Sequence, residues 1–147
     1  PGLPERKTEI FSVFHFQNPA QSLKTWIAGP PDGQCTPIRI IPGHSITVHK
    51  HLNEDEFIFI HKGSGVLTLG EEQYPVSTGA VAMVPKGVWH GLQNIGNENI
   101  EMRFGYAPSG FEGYFREVGI PLGQTGVEKT PEERRAIGEK WGMLRKM

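Results

Sequence analysis

The chain has 147 residues, 15 Lys and Arg against 16 Asp and Glu, six histidines and a formal charge of −1 at pH 7. That length suits one domain, 1–147, long enough to bury a core. With no basic run or stripe, a nucleic-acid partner is unsupported. No stretch approaches the roughly 18 apolar residues of a membrane span, and no apolar segment with a charged lead is present. No membrane partner is therefore expected. The cytoplasm is the default location, and the start at Pro1 leaves room for a trimmed or removed leader. The single cysteine, Cys35, has no partner for an intrachain disulfide and reads as a small buried or half-buried thiol.

The 19 glycines and 12 prolines favour short strands joined by tight turns, an all-β chain. Residues 1–35 form an N-terminal arm and strands. Pro1–Lys7 is a polar arm, and Glu9–Phe16 is a strand with Phe11, Val13 and His15 on one face and Ile10, Phe14 and Phe16 on the other. His15 reads as a surface or satisfied structural histidine. Ser22–Ala28 is a weak strand with Trp26, broken by the loop Gly29–Gly33. Thr36–Ile41 resumes as a strand that Pro42-Gly43 ends.

Ile46–His51 follows as a strand. Side chains alternate along it, so His49 and His51 point the same way with Cα atoms about 6.6 Å apart. Ser45 and Thr47 share that inward face, and Ile46 and Val48 face out. Glu56 lies at an odd offset from His51, so the chain must turn, and Leu52-Asn53-Glu54-Asp55 supplies the turn. Glu56, Ile58 and Ile60 then face inward, with Phe57 and Phe59 outside. A strand apolar on both faces is covered on both sides. This motivates a homodimer with Ile46, Val48, Phe57 and Phe59 near or under the contact. His44 and His61 fall on the other parity and read as turn or rim residues.

Gly63 and Gly65 permit a sharp bend. Val66–Leu69 and Ala80–Val84 are short strands linked through Gly70-Glu71-Glu72-Gln73. Pro85-Lys86-Gly87 turns the chain into a strand led by Val88, which places His90 on one face with Val88 and Leu92. Gly96-Asn97-Glu98 turns it again. Ile100–Tyr106 alternates cleanly, with Ile100, Met102, Phe104 and Tyr106 toward the core, some of them lining a pocket above the inward histidines.

Beyond Pro108 the character changes. Phe111, Tyr114, Phe115 and Val118 carry helical spacing, ended by Gly119 and Pro121. Leu122–Lys129 is a loop. Thr130-Pro131-Glu132-Glu133 starts a second helix with a capping box. Ile137, Trp141 and Leu144 follow on one face of that helix, which packs on the outside of the strands; a lid over their open end is the alternative.

His49, His51, Glu56 and His90 together offer three imidazoles and a carboxylate, a mixed N/O metal site. The spacing Gly43, five residues, His49, one, His51, four, Glu56, six, Gly63, and then Gly79, five, Pro85, one, Gly87, two, His90, three, Asn94 resembles both motifs of the cupin superfamily. The two motifs and their spacer cover about a third of the chain. The resemblance implies a cupin (jelly-roll) β-barrel of two antiparallel sheets at 36–107, with a short C-terminal helical extension at 108–147. It also implies one divalent transition metal per chain, Fe, Mn, Ni, Co, Zn or Cu, held by His49, His51, Glu56 and His90. The nearest likeness is the quercetin dioxygenase-like group of small single-domain cupins.

Three neutral imidazoles and one carboxylate leave a divalent ion with a net positive charge and two open positions in an octahedral geometry. Such a centre favours an anionic or aromatic small-molecule substrate bound as an enolate, phenolate or carboxylate. Glu56 has a second role open to it, as a general base. The leading expectation is a dioxygenase acting on a small phenolic or enolic substrate. A non-oxidative isomerase, lyase or cyclase would turn over without dioxygen, and a non-catalytic binding module would carry its ligand unchanged.

Overall fold

The computed structural model describes residues 10–11, 36–120 and 126–146. The arm, the remainder of the Glu9–Phe16 strand with His15, the Trp26 strand, the Gly29–Gly33 loop, Cys35 and Pro121 lie outside the described residues. Among the described residues there are ten strands: β1 (Ile10–Phe11), β2 (Thr36–Ile40), β3 (Ser45–His51), β4 (Asp55–Lys62), β5 (Ser64–Leu69), β6 (Glu72–Ser77), β7 (Val81–Val84), β8 (His90–Gln93), β9 (Ile100–Ala107) and β10 (Met143–Arg145). Two helices, α1 (Glu112–Val118) and α2 (Pro131–Lys140), fall in the C-terminal extension. No helix among the described residues is long and apolar enough to cross a membrane.

The strands form two antiparallel sheets, in the orders β1-β7-β4-β9-β2 and β10-β3-β8-β5-β6. Consecutive strands often lie in different sheets, as a jelly roll requires. One apolar core joins them. Ile58 and Ile60 of β4, and Ile100, Met102 and Phe104 of β9, meet Leu67, Leu69 and Leu92 from the other sheet, all buried. The alternation expected for β4 and β9 is observed: Glu56, Ile58 and Ile60 are buried, and Phe57 and Phe59 between them are only half-buried. Gly63, at φ 86°, makes the bend into β5, where a Cβ would stand 2.5 Å from the Asn99 carbonyl oxygen.

The structure corrects the sequence reading at three places. The stretch taken as a link after Leu69 continues into β6, whose polar residues and Pro75 conceal it; as an edge strand it tolerates a residue with no N–H to donate. The second helix stops at Lys140, so Leu144 is not on its face. Gly142, at φ 78°, reverses the chain into β10, which pairs with β3. The two sheets thus extend beyond 36–107 at both ends.

The third correction concerns Ile46. Between Ile46 and His49 the strand advances three residues while its partner β8 moves back two, from Leu92 to His90. This bulge inverts the parity on its N-terminal side. Ile46 therefore pairs with Leu92 and packs against the core, not on the outer face. Gly91 of β8 lies opposite the bulge. A Cβ there would meet the Ile46 carbonyl oxygen at 2.8 Å and Val48 Cα at 3.1 Å.

The C-terminal extension follows its local signals. Thr130 caps α2 in a full capping box, its Oγ1 accepting from the Glu133 N–H at 3.2 Å while Glu133 Oε2 accepts from the Thr130 N–H at 2.7 Å. Trp141 packs on Gly113 of α1, and Gly138 lies under Met143, where in each case a side chain would collide. Gly91→Ala should force β3 and β8 apart at the bulge and cost about 1–3 kcal/mol. Denaturant unfolding with an unchanged slope would measure it, and wild-type stability would refute the close approach.

Candidate metal centre

β3 supplies His49 and His51 on one face, β8 begins with His90, and β4 brings Glu56 from the opposite sheet. His49 and His90 are direct cross-strand partners. The bulge lies just before His49, so the strand is regular through both β3 histidines. Glu56 pairs with Val84 on one side and Tyr106 on the other, which fixes its backbone in the middle of its sheet.

The four side chains converge: a ligand atom from each lies within 4.8 Å of the others. They are buried, at 8, 2, 4 and 2% exposure for His49, His51, Glu56 and His90. Glu56 Oε2 stands 2.7 Å from His90 Nε2 and 3.2 Å from His51 Nε2. The His49 and His90 ring centroids are 4.3 Å apart, and those of His49 and His51 are 5.1 Å apart.

The hydrogen bonds behind the rings decide what these atoms can do. His49 Nδ1 lies 2.8 Å from the Thr47 carbonyl oxygen, and His90 Nδ1 lies 3.0 Å from that of Val88. A carbonyl only accepts, so each Nδ1 carries the proton and each neutral ring turns an Nε2 lone pair inward. With both rings neutral, Glu56 Oε2 and His90 Nε2 face each other at 2.7 Å as two lone-pair donors, and without a cation only a proton on His90 Nε2 can bridge them. A cation shared between them resolves that opposition. His51 adds a second sign, because both its ring nitrogens are buried without a hydrogen-bond partner. Its Nε2 stands 3.2 Å from Glu56 Oε2. These donors fit a divalent transition metal, with Thr47 and Val88 orienting two of the imidazoles from behind.

The protonation states agree. Burial pushes the His49 imidazole down to about 4, with the neighbouring His90 lowering it further. Burial alone would raise the Glu56 carboxyl. The adjoining His51 and His90 rings outweigh it and hold Glu56 down at about 2. Over the neutral range the site therefore presents a carboxylate and a neutral His49, the forms that bind metal.

Aromatic rings wall the centre. Phe111, at the start of α1 and 1% exposed, packs edge-on against His51 with centroids 4.3 Å apart, and Tyr106 lies 4.9 Å from the same ring. Burial, then the charges of Glu56 and Glu54, push the Tyr106 hydroxyl far up, so it stays a hydrogen-bond donor. Tyr106 was expected on the inner face. Phe111 was read only as a helix residue, and its contact with His51 gives the extension a direct part in the site.

Glu54 was read as a turn residue. It is 6% exposed, its Oε2 has no hydrogen-bond partner, and burial raises its pKa. Its even spacing from Glu56 was the available signal. His44 and His61 stay out of the cluster. His44 is exposed with Nδ1 3.1 Å from the Pro42 carbonyl oxygen, and His61 lies half-buried beyond the inward positions of β4.

Residues 38–105 match the family described as Cupin_2, cupin domain. That match, over a little under half of the chain, supports the resemblance to the cupin superfamily carried by the two motifs. The chain is 33% identical over 64 residues to the oxalate-binding protein of Thermotoga maritima, covering 44% of this chain and 53% of that one. It is 30% identical over 67 residues to the polyketide synthase CurC of Streptomyces cyaneus, covering 46% and 44%. A solved structure described as a predicted oxalate decarboxylase from Thermotoga maritima superposes with a TM-score of 0.48 at 29% identity, covering 49% of this chain and 63% of that one. The chain spans about half the length of the curated relatives it matches.

The lowered pKa values give a signed pH dependence for the metal-free protein. His49 resists protonation in the fold, so the unfolded chain binds more protons between pH 6.5 and about 4, and stability falls on acidification through that window. Glu56 contributes stability above its ordinary value of 4.5 that is lost as pH falls toward about 2. The His49 contribution is on the order of 3 kcal/mol. Thermal melts from pH 7 to pH 4 should show it, and His49→Gln should flatten the upper part of the curve. A wild-type melting temperature constant from pH 7 to 4 would contradict the buried neutral imidazole.

Proposed function

We propose that the protein is a metal-dependent dioxygenase acting on a small phenolic or enolic substrate. The observation that carries this reading is the buried cluster of three imidazoles and one carboxylate, walled by Phe111 and Tyr106. The cupin fold alone hosts many chemistries and does not choose among them. Here the donor set suits a borderline divalent metal, and the aromatic walls suit a flat unsaturated molecule.

His49, His51, Glu56 and His90 would hold the metal, which when bound supplies Lewis acidity and, for a redox-active ion, electron exchange with dioxygen. The chain does the rest. Thr47 and Val88 keep two imidazoles in the tautomer that donates a lone pair. Phe111 and Tyr106 exclude water on the His51 side, and the Tyr106 hydroxyl keeps its proton as a donor. Glu56 is ionised from the outset and is assigned the role of proton acceptor. At a pKa of about 2 it is a weak one, so the reading favours substrates acidic enough to arrive largely as the anion.

Relatives named for oxalate binding and for polyketide synthesis support a small oxygen-rich ligand. Poly-β-ketone chains enolise readily, which suits the enolic substrate class. The oxalate-binding name also favours the second reading, a module that binds without conversion. The outer face with half-buried Phe57, Phe59 and Val48 is read as a homodimer contact, now without Ile46. A strictly monomeric mass at micromolar concentration would remove that part.

The test is oxygen uptake by protein loaded anaerobically with Fe(II), Mn(II) or Ni(II), offered flavonol, catechol and 1,3-diketone panels. Uptake matched to product is expected for at least one class. Product formed equally well without dioxygen would establish the non-oxidative alternative, and silence across all panels would sink the enzymatic reading.

A further inference from the structure

β10 brings one more charged side chain to the face that carries the ligands. It pairs with β3 in continuous register, Met143 opposite His51 and Arg145 opposite His49. Residues directly paired across antiparallel strands share a face, with Cβ atoms about 4.5–5.5 Å apart. Arg145 therefore stands beside His49, and the burial of Met143 beside His51 marks that face as the inner one.

The guanidinium is fixed from the other side as well. Arg145 Nη2 donates to the Tyr114 hydroxyl at 3.1 Å. Tyr114 is buried and stacked on Phe111, with centroids 5.1 Å apart and an interplanar angle of 16°, and Phe111 is the ring that packs on His51. Both ends of Arg145 are thus tied to groups that adjoin the metal centre.

What Arg145 lacks among the described residues is an acid. Among the described residues its only polar contact is that one neutral hydroxyl. The nearby acids of the extension are engaged elsewhere: Glu117 with Lys140 and Trp141, and Glu112 with the Gly110 N–H. A guanidinium offers five N–H donors in a planar fork matched to a carboxylate, and four remain without a partner among the described residues. A half-buried cation held in place beside a centre with its own net positive charge calls for an anion between them.

We propose that Arg145 binds a carboxylate of the substrate. Resting on the reading that this centre takes a small oxygen ligand, the proposal narrows the substrate to a carboxylic acid that carries a second oxygen donor, an enol, phenol or further carboxylate, for the metal. The recognition arm lies outside the matched cupin domain, at residue 145 against 38–105. The C-terminal extension thereby adds specificity to a general metal centre. Gly142 holds the arm in register, its carbonyl accepting from the Leu52 N–H at 2.8 Å.

Calorimetric titration of the metal-loaded full chain tests this with two probes: salicylate, a phenol with a carboxylate, and catechol, which offers metal-binding oxygens without one. Arg145→Gln should weaken salicylate binding about tenfold to a hundredfold, leave catechol binding within about twofold and leave metal content unchanged. Arg145→Lys should recover part of the loss, and Tyr114→Phe should show a smaller one. If salicylate binds Arg145→Gln as it binds wild type, or if both probes weaken equally, the proposal falls while the reading of the metal centre stands. If wild type binds neither probe, both fall.

Discussion

The structure turns on the meeting of Glu56 with His51 and His90 at the centre of the molecule. Glu56 comes from one sheet and the imidazoles from the other, so this contact is a polar bridge across a largely apolar core. Buried polar groups are costly unless paired, and a half-paired cluster is worse than none. Here the pairing is strained without a cation, since the His51 ring nitrogens have no hydrogen-bond partner and only a proton can stand between Glu56 and a neutral His90. A bound metal completes it, and the same ion that prepares the chemistry would brace the two sheets. Metal binding and stability are then linked, as they are wherever ligands must be deprotonated to bind.

The surroundings divide the labour by element. β3 and β8 orient imidazoles through the carbonyls of Thr47 and Val88, groups whose identity is set by backbone and not by side chain. β4 positions the carboxylate between two paired neighbours. The extension supplies what the two central motifs do not: Phe111 over His51, Tyr114 behind it, and β10 as an added edge strand beside His49. Ile137 and Trp141, on α2 and at its end, pack against the apolar core.

Strand parity in the sequence was enough to separate His49, His51 and Glu56 from His61, and to place Ile100, Met102, Phe104 and Tyr106 on the core face; His44 stays out because it lies in the exposed turn before β3. Those positions obey a strict period of two, and burial enforces it. What parity could not show is where it breaks. The bulge before His49 depends on Gly91 in a strand more than forty positions away, so Ile46 was assigned to the wrong face. β6 was hidden by Pro75 and its polar residues, which only an edge position tolerates. β10 was hidden because three residues after a helix carry too little pattern to distinguish a strand from one more helical turn. Arg145 carried no signal in the sequence because its pairing with His49 and its hydrogen bond to Tyr114 arise only in the folded chain.

The central claim is that these four side chains hold one divalent metal ion in each chain. Elemental analysis of freshly purified protein, set against a His49→Ala, His51→Ala double variant, tests it most directly. The account predicts close to one transition metal per chain in the wild type and essentially none in the variant, with the fold largely retained. Undiminished metal in the double variant would contradict it.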